Sequence, residues 1–343
     1  MPFAKTTSLP LLSSALTLLL ATTAQANPLA DPFDYFNVYS LGSINYRNSD
    51  FQGKAGAARG VTLNGFSLSV KNPNGYSLHA GGQVTLGSGT YYGTVEAGGA
   101  TSLANATIKG SVLSGGKVVN TAGGRVNGDV QAAGSVNLTQ SYTVAGEKRD
   151  GVAYLPSVDH HALTDFFSDF SDAVAGMADS DTITSSYKAL SVKATAGTNV
   201  FTIDAQALRS AYRFTINGPE EAMVYINVLG DGAAALDSTN WFYRGGITAG
   251  DVLLNYGRQT TSLALNGGNN VNILAPFAST TFSCGLITGN LIVGDLSGRG
   301  QVNLGHFEHG RSAEPVPEPA TLFLLATGLA GLVGARSRKQ AVG

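Results

Sequence analysis

Residues 75–138 read GYSLHAGGQVTLGSGTYYGTVEAGGATSLANATIKGSVLSGGKVVNTAGGRVNGDVQAAGSVNL, and the stretch repeats. Gly82, Gly99, Gly116 and Gly134 recur at steps of 17, 17 and 18 residues. Four positions before them stand Leu78, Val95, Val112 and Val130, and two before stand Ala80, Ala97, Ser114 and Ala132. Two after stand Val84, Thr101, Val118 and Val136, and four after stand Leu86, Leu103, Asn120 and Leu138. Between the apolar positions runs a variable column of His79, Glu96, Leu113 and Gln131.

Each unit reads as a short strand, a tight small-residue corner and another short strand, with alternate residues pointing in and out. A unit of 17 or 18 residues has no room to bury an apolar face alone, but stacked units do, because equivalent residues then lie above one another. The corner glycines suit positions of positive φ or close backbone approach. The spacing predicts a mainly β fold, a β-solenoid of 17–18-residue coils. The competing picture, a glycine-rich meander, has no reason to hold one spacing. The variable column is expected on the outside, with Glu96 as its single carboxylate.

Working outward, the chain has 343 residues, 44 of them glycine, and only 13% are charged. That balance fits an extracellular β-rich protein better than a cytosolic enzyme. Cys284 is the one cysteine, so neither an intramolecular disulfide nor a cysteine zinc cluster is available, and it reads as a small buried apolar residue. No basic patch stands out, so nucleic acid is not an expected partner.

Residues 1–26 read as a secretory signal: Lys5 supplies the positive start, residues 11–20 the apolar run, and Ala24-Gln25-Ala26 the small-x-small cleavage site. An uncleaved anchor is disfavoured because the run is short. At the other end come Val316-Pro317-Glu318-Pro319, an apolar run over 320–335, and a basic tail over 336–343 with Arg336, Arg338 and Lys339. A helix over the run would reach about 24 Å, slightly short of a ~30 Å hydrocarbon core. The tail is expected to stay cytoplasmic. Losing both ends removes Lys5, Arg336, Arg338 and Lys339 from 21 basic residues and Glu318 from 23 acidic ones, leaving a body of net charge about −5.

This proline–glutamate–proline motif, followed by an apolar segment and basic tail, resembles the PEP-CTERM sorting signal of Gram-negative bacteria. The resemblance implies processing by exosortase, a membrane-bound transpeptidase, of a precursor held in the inner membrane. Val316, Pro317, Glu318 and Pro319 would be the sorting motif and Ala24 and Ala26 the signal-cleavage residues. The implied division is signal 1–26, body 27–308, linker 309–319, membrane helix 320–335 and tail 336–343.

Within the body, FNVYSLGSINYRNSDFQGKAGAARGVTL at 36–63 and NILAPFASTTFSCGLITGNLIVGDLSGRGQVNLGHF at 272–307 resemble the choice-of-anchor A family. That resemblance implies an adhesive, β-helix-like extracellular domain. Ala57-Ala58-Arg59-Gly60 stands where a small-residue corner is usual. It still fits the repeat columns with Arg59 at the glycine position and Ala57, Val61 and Leu63 inward. The 23-residue step from Arg59 to Gly82 predicts an extra loop near 71–75. Capping of the solenoid ends is expected from the irregular N-terminal coil and the final strands.

Residues 155–178 break the β pattern. Leu163, Phe166, Phe170, Val174 and Met177 recur at helical spacing, with Pro156 and Ser157 as start signals. This predicts an amphipathic helix along the solenoid, phenylalanines inward. Asp165, Asp169 and Asp172 lie on another face and read as solvated, since they lack a calcium-loop spacing. From residue 199 onward strands return, with a turn at Asn217-Gly218-Pro219.

Asp159-His160-His161 invites a catalytic or metal reading, but adjacent histidines on a helix diverge, whereas a metal pair wants i, i+4 spacing. His306 and His309 lie towards the linker. No nucleophile–base motif, zinc motif or phosphate loop appears, and the columns do not follow a six-residue acyltransferase period. Expected, then, are no catalytic residue, no metal and no cofactor. The reading is an exported adhesin binding extracellular polysaccharide or neighbouring cell-surface molecules. The alternative is a secreted β-helix carbohydrate-active enzyme, a lyase or hydrolase. Ice binding would need a flat threonine-rich face, and Thr85, Ser102, Val119 and Asn137 are mixed.

Overall fold

In the computed structural model, which describes residues 29–308, the quoted stretch forms parallel strands stacked in register. Leu78 pairs with Val95, Val95 with Val112, and Val112 with Val130. All four side chains are fully buried. The fold is mainly β with a large parallel sheet and few helices, a pairing pattern consistent with the expected solenoid.

Each coil carries three strands rather than the two read from the repeat. Thr94–Ala97, Thr101–Leu103 and Ala106–Ile108 make one turn, and Val112–Ser114, Val118–Asn120 and Gly124–Val126 the next. The third column stacks Tyr91, Ile108 and Val126, all buried. Its strands hold one inward aromatic or aliphatic side chain that changes size from coil to coil, so no constant residue type marks it.

The corner column is a backbone ladder. Gly82 N–H donates to Arg59 O at 2.8 Å, Gly99 to Gly82 at 2.9 Å, and Gly116 to Gly99 at 3.0 Å. Beside it, a Cβ on Gly98 would lie 2.3 Å from Gly81 O, and one on Gly115 2.2 Å from Gly98 O. Close approach of stacked backbones, not positive φ, therefore demands glycine there. Arg59 takes its expected rung, and residues 69–75 form the extra loop.

The order of coils differs from the expectation. Val38–Ser40 does not cap an end; it lies between Ala55–Ala57 and Leu291–Gly298, parallel to both. One face thus runs through twelve parallel strands. It passes from Gly197–Asp204 through Ala222–Leu229, Val252–Asn255, Asn272–Thr288 and Leu291–Gly298 to Val38–Ser40. From there it continues to Lys148–Arg149. The N-terminal coil and the final strands pair with each other in mid-stack.

The helix His160–Ala175 explains this order. Its 16 residues reach about 24 Å, enough to cross four to five strand spacings of ~4.8 Å. It carries the chain back past the N-terminal coil, so the later coils build from the other side. The helix starts at Asp159, whose carboxylate accepts from His161 N and Ala162 N at 3.0 Å, rather than at Pro156 or Ser157. Its buried stripe is Leu163, Phe167, Ser171 and Val174. Phe166 and Phe170 flank that stripe, edge-on to the buried Phe33, and Met177 is exposed. No helix among the described residues is long and apolar enough to cross a membrane. The leader at 1–26, the sorting motif and the apolar run at 320–335 lie outside the described residues.

Candidate binding surface

The three strands of each coil stack into three faces, and the helix closes one of them. On that face the outward column runs Asn227, Asn255, Leu274, Ile292, Tyr39, Gly56, His79 and Glu96. Every side chain in it is buried. His79 and Glu96 were expected on the outside. They are covered because residues 154–160 lead into the helix directly across them.

The cover is bonded at both ends and greasy in the middle. Asn255 Nδ2 donates to Ser171 O at 3.0 Å and to Asn227 Oδ1 at 2.9 Å, and Asn227 Nδ2 donates to Val174 O at 3.0 Å. Leu163 and Phe167 pack with Tyr39, Leu274 and Ile292. At the other end Glu96 accepts from Ser157 N at 2.8 Å, from the Ser157 hydroxyl, and from Tyr154 at 3.3 Å. His79 Nδ1 sits 2.7 Å from Glu96 Oε2, and its Nε2 is 2.8 Å from Tyr35 Oη.

Burial raises the Glu96 carboxyl, but the hydrogen bonds from His79 and Ser157 outweigh it and hold the group below the ordinary range. Burial pushes the Tyr35 hydroxyl up to about 12. His160, 3.0 Å from Tyr39 Oη through Nδ1, is pushed down to about 4 by burial and then by neighbouring His79.

Ser157, His79 and Glu96 are the residue types of a hydrolytic triad, but their arrangement is different. A triad base presents one ring nitrogen to the nucleophile and the other to the carboxylate. Here serine and carboxylate crowd the same nitrogen while tyrosine takes the other, so the cluster fastens the crossover segment to the coils. His161 pairs with Asp165 at 2.8 Å and Asp172 with Arg258 at 2.6 Å on the exposed helix side. His306 lies 4.0 Å from Asp34; His309 lies outside the described residues. No group of three or more metal-ligating side chains occurs among the described residues.

The other two faces are open to solvent. On one, the outward column reads Thr281, Ser297, Asn45, Thr62, Thr85, Ser102, Val119 and Asn137. Six consecutive rungs therefore offer a hydroxyl or an amide. Only the end of this column was legible in the repeat, because Thr281 and Ser297 join Asn45 through pairing between distant parts of the chain. The third face stacks Ser67, Thr90 and Thr107 in the same way.

Where the two halves of the chain meet, the hydroxyl column opens into a trough of about 550 Å³. Asn45, Thr281, Ser283 and Ser297 line it, with Arg47 and Arg299. Arg299 Nε donates to Ser283 O at 3.1 Å. Cys284, expected to be buried, is exposed beside Ser283. The register shift between Leu265 and Asn266 bends this strand just there and breaks the inward–outward alternation.

A family model described as "Putative Ice-binding-like adhesive domain" matches residues 29–304. A second, described as the PEP-CTERM protein-sorting motif, matches residues 315–339. Among solved structures, the chain is similar to the ice-binding protein of the Antarctic ascomycete Antarctomyces psychrotrophicus. The identity is 12% and the TM-score 0.31, over 65% of this chain and 93% of that one. It is also similar to an ice-binding protein from an Antarctic bacterium of the Flavobacteriaceae, at 10% identity and a TM-score of 0.29. That match covers 78% of this chain and 79% of the other. No curated protein matches the chain.

Proposed function

The chain belongs to the ice-binding-like adhesive domain family, for which choice-of-anchor A is a near-equivalent name, and from that premise we propose that it is a cell-surface or matrix adhesin. Families of this kind are generally non-enzymatic. The sorting motif implies export through an exosortase system from a membrane-anchored precursor.

In this reading residues 1–26 are removed after Ala26, with Ala24 completing the cleavage site. The body 27–308 is carried out on a linker, 309–319. The run 320–335 holds the precursor in the inner membrane of a Gram-negative cell, with 336–343 inside. Val316, Pro317, Glu318 and Pro319 are then read by exosortase, and the body reaches the surface or the matrix. There it engages extracellular polysaccharide or neighbouring cell-surface molecules and turns nothing over.

One observation carries the proposal: two open faces hold hydroxyl and amide columns at strand spacing, on a frame whose third face is closed by the helix. Rigid, repeated polar groups suit many weak contacts with an extended polymer, and copies on one cell add avidity. The alternative of a β-helix carbohydrate-active enzyme finds less support. Glu96, the carboxylate that reading would start from, is engaged beneath the crossover segment. An ice-contacting face would want a uniform threonine array, whereas Ser297, Asn45, Ser102, Val119 and Asn137 interrupt this one.

The test is to incubate the exported protein with extracellular polysaccharide isolated from its host and with whole cells, following sedimentation and released reducing ends together. Co-sedimentation without new reducing ends is expected. Release of reducing ends without lasting attachment would replace this reading with the enzyme.

A further inference from the structure

The trough at the junction of the two halves gathers two arginines in one depression. The body is acidic overall; of its exposed arginines, Arg149, Arg209 and Arg258 hold Glu147, Asp237 and Asp172, while Arg59, Arg125, Arg213 and Arg244 stand apart from one another and line none of this depression. Arg47 and Arg299 form no ion pair among the described residues, and both line the same depression. Two guanidinium groups lining one cavity repel each other, and an anion between them relieves that repulsion. A guanidinium fork matches a carboxylate in two parallel hydrogen bonds.

The floor indicates what else the ligand carries. Thr281, Ser297 and Asn45 occupy successive rungs about 4.8 Å apart. They present donors and acceptors in a line leading out of the trough onto the hydroxyl column. A small free anion would use the arginines and leave this line idle. A polymer of hydroxyl-rich units bearing an acid group would use both. The volume, about 550 Å³, lies within the usual 300–1,000 Å³ range of small-ligand sites.

Resting on the adhesin reading and deepening it, we propose that this trough binds a carboxylate-bearing sugar unit of an acidic extracellular polysaccharide. Arg47 and Arg299 hold the carboxylate, and the neighbouring hydroxyl column aligns the chain of sugars. Such a site exists only once the C-terminal coils have stacked on the N-terminal one, so binding reports the assembled fold. A nucleic-acid backbone offers charge without this pattern of hydroxyls.

The test uses the full exported protein in calorimetric titrations. The probes are an oligouronate, the same oligouronate with its carboxyls methyl-esterified, a sulfated oligosaccharide and a DNA oligonucleotide. The free oligouronate should bind at least tenfold more tightly than its ester, with affinity falling as salt rises. Arg47→Gln and Arg299→Gln should each weaken that binding about tenfold while leaving thermal unfolding unchanged. Arg125→Gln, on the third face, should leave it unchanged. Equal binding of acid and ester, undiminished binding by both trough variants, or tighter binding of the sulfated sugar or DNA would overturn the proposal. If the ester binds as well as the acid and the protein still sediments with host polysaccharide, the adhesin reading survives and the carboxylate site does not. If nothing binds and host polysaccharide does not sediment, both fall.

Discussion

Val112 sits between Val95 and Val130 in the interior ladder with no exposed surface. Val112→Asp places an unpaired carboxyl among apolar neighbours and should lower unfolding free energy by about 3–5 kcal/mol. Denaturant unfolding checks this, and an unchanged midpoint would contradict the ladder. The protonation of His160 predicts a pH dependence. Its folded pKa is lowered from 6.5 to about 4, so between these values the unfolded chain binds the extra proton. Its effect on stability is absent above pH 6.5 and grows as pH falls towards 4, reaching about 3 kcal/mol. Glu96, also held low, keeps its contribution above the ordinary carboxylate range and loses it as pH falls through its depressed value. Unfolding at pH 7.0, 5.5 and 4.5 should show a decline that His160→Gln flattens; parallel declines in both proteins would remove His160 as the cause. The inward residues here were legible because their type repeats. His79 and Glu96 were not, because nothing local says that another segment will cover an outward position.

At the scale of the element, the helix His160–Ala175 is held by a few side chains. Phe167 is fully buried and lies 5.2 Å from Phe33 and 5.4 Å from Tyr39, ring centre to ring centre. Phe167→Ala should destabilise the protein by about 3–5 kcal/mol and raise amide exchange first in the helix and in residues 152–159. Uniform acceleration across the coils instead would mean that the helix and stack open as one unit. The existence of this helix could be read from apolar spacing. Its exact stripe could not, because Phe166 and Phe170 are drawn to Phe33 from the N-terminal segment while Ser171 turns inward to Asn255 at 2.6 Å. Among strands, the first two of each coil were legible from constant columns, and the third was not.

For the whole molecule, the decisive feature is the order of stacking, in which the two ends of the described chain meet in the middle. Periodicity within one stretch carries no information about which distant strand follows. Pairings such as Val38 with Leu291, and the trough they create, therefore had no local signal. The sorting motif at the C-terminal end was legible because sorting machinery reads linear motifs. If the motif at Val316–Pro319 is processed as proposed, mass spectrometry of surface-released protein should recover peptides up to the linker and none from residues 322–343. An intact tail in that material would contradict processing. The central claim is that the body works by presenting surface. Deleting the gene in its host should reduce aggregation and attachment, and restoring the unaltered gene should return both. The account fails if neither property changes while the purified protein cleaves a glycan at an enzyme-like rate of about 1 s⁻¹ or faster.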